Sequence, residues 1–439
     1  MSYANTTDIA VIGAGAAGLM AAIFAARTNP GARVIAFDGA RTLGAKILVA
    51  GGGRCNVTHH AVDESAYAGS SRNAIKKVLR RFDVEQTVAF FNDLGVELKR
   101  EETGKLFPTT DKARTVLDAL LNAARDAGAH IEHPWRVGSI EHRDGIFTVT
   151  RDRTWEADAH KHRAPEGGSD TIHARRVILA TGGKALPKTG SDGAGYAFAR
   201  TLGHTVSQRV FPALVPLVVD DAAAFLRDLS GIACDATLEA RSSTNKRLAS
   251  FTGSTLCTHF GLSGPAPLDI SRYFRDAQHA DPGSSLLVNW LPGETVESID
   301  RALLDLRKRS PMRFLCERLP ERLARTLCDL AHIDAPNVSV SKLTRQQRTA
   351  LARACCEMVV PVRGDRGFAY AEVTAGGVPL SEINLKTMES RATPGLHLIG
   401  EICDVDGRIG GFNFQWAWAS GYIAGINATT PSRATSSTP

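Results

Sequence analysis

The first forty residues carry the pattern that most constrains the fold. An apolar run, Asp8–Ile12, leads into Gly13-Ala14-Gly15-Ala16-Ala17-Gly18, and an alanine-rich helical pattern follows. A second apolar run, Arg33–Phe37, ends at Asp38, about twenty residues beyond Gly18, as the dinucleotide-binding pattern requires. This strand–turn–helix–strand order predicts an α/β fold that contains a Rossmann-like domain.

Each member of this fingerprint has a physical reason to be there. Gly13 permits the tight turn, Gly15 lets the backbone approach a pyrophosphate, and Gly18 lets the helix pack close to the strand. The pyrophosphate is expected at the helix N-terminus, where free N–H groups and the macrodipole favour anions. Asp38 can accept hydrogen bonds from a ribose 2′-hydroxyl and would repel a 2′-phosphate, so NADP is not expected here. The predicted nucleotide contacts are Gly13, Gly15, Ala16, Ala17, Gly18 and Asp38.

Length and composition are typical of a globular protein with room for two or three domains. The 439 residues are 43% hydrophobic and 22% charged. The net charge of +6 results from a slight excess of Lys and Arg, which are expected to be spread along the chain because no run of five basic residues occurs. Such a surface tolerates anionic ligands but does not call for nucleic acid, so no nucleic-acid partner is expected. A small-molecule substrate is expected instead.

The eight cysteines have irregular spacings without C-x-x-C or a zinc-type pattern, so no metal site is expected. They are typical of free thiols in a reducing cytoplasm. No signal peptide is visible, and the apolar stretch Ala14–Ala26 is shorter than the roughly 20 residues of a membrane span. A cytoplasmic protein without membrane contact is therefore expected, and its oligomeric state is left open.

Changes in pattern along the chain predict a discontinuous domain with an insertion. Residues 1–203 and 358–428 are predicted to form two parts of one Rossmann-like domain. Residues 204–357 are predicted to form an inserted β-rich plus helical domain, and residues 429–439 a disordered tail. The elements behind this assignment are helices near 71–80, 84–94 and 111–127, a polar loop at 152–170, short strands within Val206–Val219, 235–240 and 284–290, and helices within 295–331 and 343–357.

Three apolar runs end in glycine although they lie far apart in the chain: residues 9–13, 177–183 and 396–400. Ligands gather at the carboxyl ends of parallel strands, so these runs are predicted to meet at one site. A plain NAD domain completes its nucleotide site in its first half, whereas FAD is long enough to use several strand ends. The runs add these residues to a predicted FAD site: Ala180, Thr181, Gly182, Gly183 and Gly400.

A glycine-rich segment at 51–56 is predicted to lie against the flavin ring. Gly51-Gly52-Gly53 would let the backbone approach the flat isoalloxazine, and Asn56 could form a hydrogen bond near N5. An ordinary flexible loop is the alternative. Cys55 has no neighbouring cysteine to resolve a disulfide, which disfavours a redox role. The predicted contacts here are Gly51, Gly52, Gly53, Arg54, Cys55 and Asn56.

The start of the last helix is predicted to face another edge of the ring. The N–H groups of Gly410, Gly411 and Phe412 would lie near N1 and C2=O, where negative charge develops when the flavin is reduced. Glycine is expected because a Cβ would block the ring, and a purely structural helix start is the alternative. Glu401, at a strand end, can accept hydrogen bonds from ribityl hydroxyls. The predicted contacts are completed by Asp406 and Asn413.

Together these segments resemble the BaiN-like (YhiN-type) family of NAD(P)/FAD-dependent oxidoreductases over nearly the whole chain. The motifs that carry the resemblance are GAGAAGLMAA at 13–22, GGGRCNVTH at 51–59, KLFPTTDKA at 105–113, ILATGGKALPKTGSDGAGY at 178–196, THFGLSGPAPLDIS at 258–271, EVTAGGV at 372–378 and GEICDVDGRIGGFNFQWAWASG at 400–421. The resemblance implies tight FAD binding and a two-part FAD domain interrupted by an insert. Asp38 departs from the glutamate that is common in the family, and the 152–170 loop is long.

The expected chemistry is hydride transfer through flavin N5, from NADH or NADPH to a small organic acceptor. The chain has no second G-x-G-x-x-G, and the near match at Gly190–Gly195 has the wrong order and is predicted to cap a helix. A nicotinamide donor would therefore dock without its own Rossmann domain. Two alternatives stay open: an FAD-dependent oxidase of a small amine or alcohol that makes hydrogen peroxide, and a flavin-containing tRNA-modifying or regulatory protein.

The candidate catalytic residues are Asn56, His259 and Arg408. Arg54 and Arg408 could hold an anionic substrate or could pair with the carboxylates of Asp404 and Asp406. His59 and His60 are expected at the surface. His259 lies in a segment, Thr258–Pro265, that is predicted to be a loop leading into a helix capped by Ser263. This segment could face the flavin, and a structural turn is the alternative.

Overall fold

The computed structural model describes residues 5–154, 169–306, 309–337 and 339–428. The chain divides into two compact units. The first contains the residues up to Phe211 and those from Val373 onward, and the second is Pro212–Glu372. The predicted tail at 429–439, and residues 155–168 of the predicted polar loop, lie outside the described residues.

A mixed sheet forms the centre of the first unit. The buried strand Thr6–Ile12 pairs in parallel with Val34–Phe37 on one side and with Thr171–Leu179 on the other. Leu396–Leu398, from the far end of the chain, pairs in parallel with Thr171–Leu179. The three glycine-ended runs therefore finish at the same edge of one sheet. The spatial order is Ile383–Asn384, Glu389–Ser390, Leu396–Leu398, Thr171–Leu179, Thr6–Ile12, Val34–Phe37 and His130–Glu132, and Ile146–Arg151 pairs antiparallel with Thr171–Leu179 and with Val137–Arg143.

Helices cover this sheet. The fingerprint helix, Ala16–Thr28, contacts the C-terminal helix, Phe412–Asn427, so closely that a Cβ at Gly421 would lie 2.6 Å from the carbonyl oxygen of Ala17. The first unit also contains the helices Ala45–Gly53, Arg72–Leu79, Val84–Asp93, Ala113–Asp126 and Ala194–Thr201 and the short 3₁₀ turns Glu64–Ala66, Pro187–Thr189, Leu380–Glu382 and Gly400–Ile402. The helices predicted near 71–80, 84–94 and 111–127 are confirmed.

Short strands beside the sheet bring distant segments together. Tyr67–Gly69 pairs antiparallel with Val405–Gly407, which joins the first part of the unit to its second part. Lys105–Pro108 pairs with Thr58–His59 and with Leu98–Arg100. The chain also forms the strands Phe211–Ala213 and Val373–Ala375 near the limits of the units.

The second unit combines an antiparallel sheet with helices. The hairpin of Ala233–Arg241 and Arg247–Thr258 is its longest pairing, and buried residues such as Leu238 and Val288 form its core. The spatial order of the strands is Met358–Val360, Ser285–Asn289, Ala233–Arg241, Arg247–Thr258, Gly261–Ser263, Leu217–Val219 and Val362–Asp365. The helices are Phe225–Asp228, Pro265–Ala280, Val296–Asp305, Pro311–Cys316, Glu321–Leu330 and Arg345–Cys356, with 3₁₀ turns at Asp221–Ala223 and Val340–Lys342.

The second unit is where the predicted elements differ most from the structure. The predicted helical stretch 295–331 is three helices, because Pro311 and Pro320 cannot continue a helix from the preceding turn. Arg247–Thr258 is a strand that the sequence analysis did not predict. Ser263 ends a strand and is not a helix cap, because Gly264 occupies the N-cap position of Pro265–Ala280 and makes no side-chain capping bond.

The α/β class with a Rossmann-like domain is confirmed. The unit Pro212–Glu372 begins later and ends later than the predicted insert, 204–357. It extends beyond 357 because Val362–Asp365 pairs with Leu217–Val219 inside the second unit. The assignment of the units as an FAD domain and an insert remains a prediction.

No helix in the described ranges has both the length and the apolar character that crossing a bilayer would require.

Candidate flavin-binding site

The fingerprint turn is held by close contacts within the protein and has one open position. Gly13 has φ +101°, and a Cβ there would lie 2.5 Å from the carbonyl oxygen of Ala180. A Cβ at Gly18 would lie 1.8 Å from the carbonyl oxygen of Gly13. Gly15, the N-cap of the fingerprint helix, would place a Cβ with no neighbour within 4 Å. The turn therefore leaves space in front of an uncapped helix N-terminus, as a bound pyrophosphate requires.

Asp38 fixes the turn from the end of the neighbouring strand. Its Oδ2 accepts a hydrogen bond of 2.7 Å from the backbone N–H of Ala14, and its Oδ1 accepts one of 2.8 Å from Ala40. Each carboxylate oxygen has a second lone pair, so these bonds are compatible with a ribose hydroxyl as a further donor. The ribose contact itself stays a prediction.

The end of the strand Thr171–Leu179 is tightly surrounded. A Cβ at Gly183 would lie 2.4 Å from Oγ1 of Thr374 and 3.0 Å from Oε1 of Glu401. The Thr374 hydroxyl oxygen accepts backbone hydrogen bonds of 2.7 Å from Lys184 and 3.0 Å from Ala185. Thr374 lies in the EVTAGGV motif, but the sequence analysis gave it no role. These contacts hold the glycine turn that follows the strand.

Gly182 and Thr181 complete this turn. Gly182 has φ +72°, and a Cβ there would lie 2.7 Å from Oγ of Ser191. The Thr181 hydroxyl is buried and has no hydrogen-bond partner among the described residues. A buried hydroxyl beside a predicted cofactor path is one position where a ligand could supply the missing partner.

Glu401 lies in the 3₁₀ turn Gly400–Ile402, where its carboxylate already has two partners. Oε1 accepts a hydrogen bond of 2.9 Å from the backbone N–H of Thr374, and Oε2 forms an ion pair with Nζ of Lys46. Lys46 was missed, although it lies five residues before the glycine run and could have been noticed there. The pair joins the helix Ala45–Gly53 to the turn that ends the strand Leu396–Leu398.

The glycine segment at 51–53, for which a flexible loop was the alternative, has a defined conformation. The element Ala45–Gly53 breaks at Ala50, and Gly51, Gly52 and Gly53 have φ values of +58°, +69° and +84°. A Cβ at Gly51 would lie 2.9 Å from the ring of Phe107, whereas one at Gly52 would meet nothing within 4 Å. The turn is therefore left-handed and exposes backbone, which is what close approach of a flat ring requires.

The residues after this turn go into the interior. Cys55 is fully buried, and burial raises the pKa of its thiol to about 12, so it is unsuited to thiolate chemistry. Asn56 is 7% exposed, and its Oδ1 is buried without a hydrogen-bond partner in the described structure. An unpartnered buried amide oxygen costs about 1–3 kcal/mol, so this atom is suited to receive a donor from a ligand.

One interpretation of the sequence paired Arg54 with Asp404 or Asp406. The structure gives Arg54 other partners. Its Nη1 donates a hydrogen bond of 2.6 Å to Glu101 and lies 3.6 Å from a carboxylate oxygen of Asp111. The guanidinium lies 4.0 Å from the centroid of the Phe107 ring. The hydrogen bond with Glu101 raises the pKa of Arg54. The carboxylates of Glu101 and Asp111, which follow the strands Leu98–Arg100 and Lys105–Pro108, therefore neutralise Arg54.

The start of the C-terminal helix is compatible with the predicted contact to the flavin ring. At Gly411, however, glycine is required by packing within the protein and not by the ring. Gly411 is the N-cap with φ +95° and makes no side-chain capping bond. A Cβ there would lie 2.5 Å from the backbone of Thr58, so packing within the protein already requires glycine. At Gly410 the nearest neighbour of a Cβ would be Lys105, at 3.6 Å. Room for a ring is thus found at Gly410 and not at Gly411.

Neighbouring residues hold this helix start in place. Oδ1 of Asn413 accepts a hydrogen bond of 2.8 Å from the N–H of Gly407, and its Nδ2 donates one of 2.9 Å to the same residue's carbonyl. The carbonyl of Phe412 accepts a hydrogen bond of 2.8 Å from the Tyr67 hydroxyl. Asp406 is 4% exposed. Asn413 therefore has a structural role, and its predicted contact with the cofactor would be a second role.

The three catalytic candidates do not have equal support. Asn56 has the orphaned oxygen already described. Arg408 lies one residue after the strand Val405–Gly407, and its backbone N–H donates to the carbonyl of Ala66. His259 is exposed in the second unit, with its ring 5.0 Å from that of Phe260 in an edge-on contact. Whether His259 acts at the flavin stays a prediction.

The two neighbouring histidines differ. His60 is exposed, as expected. His59 is half-buried and stacks on Phe412 with 5.0 Å between ring centroids, and desolvation lowers its pKa. Its two ring nitrogens lie 2.9 and 3.1 Å from the carbonyl oxygens of Ala61 and Thr103. These contacts give His59 a packing role at the start of the last helix.

The residues present fit FAD. Open backbone at Gly15 and Gly52 leaves space where a pyrophosphate and a ring are predicted, and the orphaned polar atoms of Asn56 and Thr181 lack partners. The glycine turns follow neighbouring strands of one sheet, which matches a long cofactor better than a mononucleotide.

The chain is similar to known proteins along nearly its whole length. Residues 7–427 match the family described as HI0933-like protein Rossmann domain. A 3-dehydro-bile acid delta(4,6)-reductase of Clostridium scindens is 36% identical over 95% of this chain and 98% of its own length. A ribosomal RNA dihydrouridine synthase of Escherichia coli is 32% identical over 94% of this chain and 96% of its own length.

Solved structures share the fold. A variant of the Escherichia coli quinol fumarate reductase FrdA aligns with a TM-score of 0.51 at 17% identity, over 97% of this chain and 70% of that chain. A 3-ketosteroid delta1-dehydrogenase from Sterolibacterium denitrificans aligns with a TM-score of 0.50 at 13% identity, over 97% of this chain and all of that one. At these identities the likeness concerns the fold alone. The family match and the whole-length relatives show that the chain belongs to the HI0933-like family (BaiN/YhiN type) and is an FAD-dependent oxidoreductase.

Proposed function

We propose that this protein uses a nicotinamide donor to reduce a carbon–carbon double bond that is conjugated to a carbonyl group. The observation that carries the proposal is similarity along the whole chain to two differently named enzymes. A delta(4,6) double-bond system beside a 3-oxo group and the C5=C6 bond of uracil are both conjugated to a carbonyl. One reaction type therefore covers both names.

The reaction balances as a two-electron reduction. The donor is NADH or NADPH, which loses a hydride and becomes NAD⁺ or NADP⁺. One hydride adds to the β-carbon of the acceptor, and a proton adds to the α-carbon. When bound, FAD supplies at N5 a centre that takes the hydride from the donor and gives it to the acceptor.

The chain's own residues bind and orient the groups in this proposal. The uncapped N-terminus of Phe412–Asn427 offers N–H groups and a positive dipole end to the ring edge that becomes negative. Oδ1 of Asn56 accepts a hydrogen bond from the ring or from the substrate. Gly15 leaves room for the pyrophosphate at the fingerprint helix. Because the sequence has no second fingerprint, the donor docks transiently at the same site.

Anaerobic stopped-flow absorbance tests the proposal directly. The purified yellow protein is mixed with NADH and then, separately, with NADPH. Bleaching of the flavin band with one donor, followed by reoxidation with a 4-ene-3-oxosteroid or cyclohexenone, is the expected result. No bleaching with either donor would overturn the nicotinamide step. Bleaching by an amine or alcohol, with peroxide released in air, would establish the oxidase alternative instead.

A second acceptor, uridine in RNA, is favoured by one observation. Two relatives at 32% and 30% identity over 94% and 95% of this chain, from Escherichia coli and Haemophilus influenzae, are named ribosomal RNA dihydrouridine synthases. Uridine contains the same conjugated carbonyl. Incubation of deproteinised ribosomal RNA with the protein and its donor, followed by nucleoside mass spectrometry, is expected to show a gain of two hydrogens on uridine. Enone reduction without dihydrouridine would limit the protein to small acceptors.

A further inference from the structure

The positive charge of this chain is concentrated in one segment, so the expectation of an even spread is wrong. The whole chain has 52 Lys and Arg against 46 Asp and Glu, a net charge of +6. Residues 301–353 contain 12 of the basic and 5 of the acidic residues, a net charge of +7. The remainder has 40 basic and 41 acidic residues, a net charge of −1. The basic residues of this segment are spaced apart except for the three at 307–309, which is why the segment contains no run of five.

Three of these arginines share one carboxylate. Nitrogens of Arg309, Arg313 and Arg318 lie 3.9, 3.9 and 3.7 Å from the carboxylate of Glu317. The arginine side chains are 59%, 73% and 41% exposed. Three guanidinium groups against one carboxylate leave two uncompensated positive charges at this place. We name Arg309, Arg313 and Arg318 the arginine cluster.

The same helical part presents more basic side chains to solvent. Among the residues of 301–353 that the structure describes, five exposed basic side chains make no ion pair: Arg301, Arg322, Lys342, Arg345 and Arg353. By contrast, Arg325 pairs with Glu321 at 2.8 Å, and Arg348 pairs with Asp300 at 2.6 Å. The excess of positive charge is therefore at the surface and is not neutralised by ion pairs within the protein.

We propose that this helical surface binds the phosphate backbone of RNA through the arginine cluster. The planar guanidinium group donates two parallel hydrogen bonds to phosphate oxygens, which suits adjacent arginines to a charged backbone. An RNA partner is favoured over an acidic protein because two whole-length relatives are named for ribosomal RNA. The inference rests on the proposed function only in that RNA would carry the reducible uridine. Binding itself requires no reaction.

The test measures binding of deproteinised bacterial ribosomal RNA to the full-length holoprotein by filter binding between 50 and 300 mM KCl. Each phosphate contact contributes about 0.7–0.9 to the slope of log affinity against log salt. The triple variant Arg309→Gln, Arg313→Gln, Arg318→Gln is expected to lower the slope by about 2–3. At 0.1 M salt its affinity is expected to fall roughly 10- to 100-fold.

The matched control removes the same charge from the first unit. Arg114→Gln, Arg125→Gln, Arg143→Gln replaces three exposed arginines, of which Arg114 and Arg143 each lie within 4 Å of one carboxylate. This control is expected to keep most of the RNA affinity. An equal loss in both triple variants, or no loss in the first, would overturn the proposal. Competition by poly-L-glutamate as strong as by RNA would also overturn it, in favour of an acidic protein.

Two further measurements distinguish a loss of RNA binding from a loss of folding or of reductase activity. Thermal unfolding of both triple variants verifies that the second unit is folded. Enone reduction by the arginine-cluster variant is expected to equal that of the original protein, because none of the three arginines belongs to the flavin site. A protein that binds RNA through the cluster but reduces no conjugated double bond would retain this inference and overturn the proposed function.

Discussion

The fingerprint turn at Gly13–Gly18 and the left-handed turn at Gly51–Asn56 both contain three glycines, but these glycines meet different neighbours. In the first turn, Cβ atoms at Gly13 and Gly18 would lie 2.5 and 1.8 Å from backbone oxygens of the protein. In the second turn, a Cβ at Gly52 would meet nothing, and the unsatisfied atom is Oδ1 of Asn56. In the first turn two of the three glycines are required by the protein's own backbone, whereas the second turn ends at a buried polar atom that has no partner among the described residues.

This difference shows how to distinguish a glycine that is required by contacts within the protein from a glycine that leaves space for a ligand. Gly18 is required by the approach of its own turn, as Gly411 is by Thr58. Gly15 belongs to the same motif as Gly18, yet the protein places nothing against it. The same motif therefore contains both kinds of glycine. Substitutions at the first kind should lower stability, and substitutions at the second kind should lower FAD affinity.

The largest effect is expected for Gly18→Ala. The new methyl group would collide with the carbonyl oxygen of Gly13, and because backbone must move, the free energy of unfolding should fall by about 4 kcal/mol or more. Soluble yield and urea unfolding of the apoprotein measure this loss. A midpoint equal to that of the original protein would break the comparison, because it would show that the turn tolerates a side chain.

Gly15→Ala should leave folding intact and weaken FAD. Its φ of −79° suits any residue, and the methyl group meets no protein atom. Crowding against a bound pyrophosphate should cost about 1–3 kcal/mol, which is roughly a 5- to 150-fold loss of affinity. Apoprotein unfolding and FAD titration measure the two quantities separately.

Gly364→Ala is the matched control, since that glycine also has open space and lies in the second unit. It should change neither the folding of the first unit nor FAD affinity. Equal FAD affinity in Gly15→Ala would place the pyrophosphate elsewhere.

His397 tests whether every orphaned atom marks a ligand. Its Nε2 is buried without a partner, and burial lowers its pKa to about 4, below the ordinary value near 6.5. Its contribution to stability is present above pH 6.5 and is lost as the pH falls towards 4, by up to about 1.4 kcal/mol per pH unit. Urea unfolding of the original protein and of His397→Gln at pH 7, 5.5 and 4.5 should show a difference that shrinks on acidification.

FAD affinity at pH 7 should be unchanged in His397→Gln, in contrast to Gly15→Ala. His60→Gln, at an exposed histidine, is the control for the pH series. A loss of FAD affinity in His397→Gln would extend the cofactor site into the strand Leu396–Leu398.

Asn56→Leu is expected to have only a small effect on stability. Replacing an unpartnered buried amide by an apolar group of similar shape should leave the apoprotein as stable as before or more stable, by up to about 1 kcal/mol. The holoprotein should bleach more slowly with the nicotinamide donor, because the ring or the substrate loses an acceptor. Unfolding and stopped-flow absorbance measure the two effects. An apoprotein that is clearly destabilised would give Asn56 a structural role.

Local patterns made the first unit largely predictable. The fingerprint, the strand ends and the helices Arg72–Leu79, Val84–Asp93 and Ala113–Asp126 follow from apolar periodicity and turn residues within short windows. The second unit was less predictable. Arg247–Thr258 is rich in Ser and Thr, and only two of its twelve residues are buried, so its strand is specified by its hairpin partner and not by its own apolar residues.

Contacts between distant segments explain what the sequence did not reveal about the site. Lys46 and Glu401 are 355 positions apart, and nothing near either residue indicates that they form an ion pair. The pairing of Arg54 was misjudged for the same reason, because Glu101 and Asp111 reach it from other segments. The requirement for glycine at position 411 depends on the backbone of Thr58, which the linear sequence cannot show.

The closeness of the first and last helices has a consequence for the order in which the protein can mature. The fingerprint helix Ala16–Thr28 is covered by Phe412–Asn427, and the strand Leu396–Leu398 completes the sheet beside Thr171–Leu179. During synthesis, both of these late elements leave the ribosome only after Pro212–Glu372 has been made. The first part of this unit must therefore wait with an uncovered apolar face, and we expect FAD to be retained only after the last helix has been made.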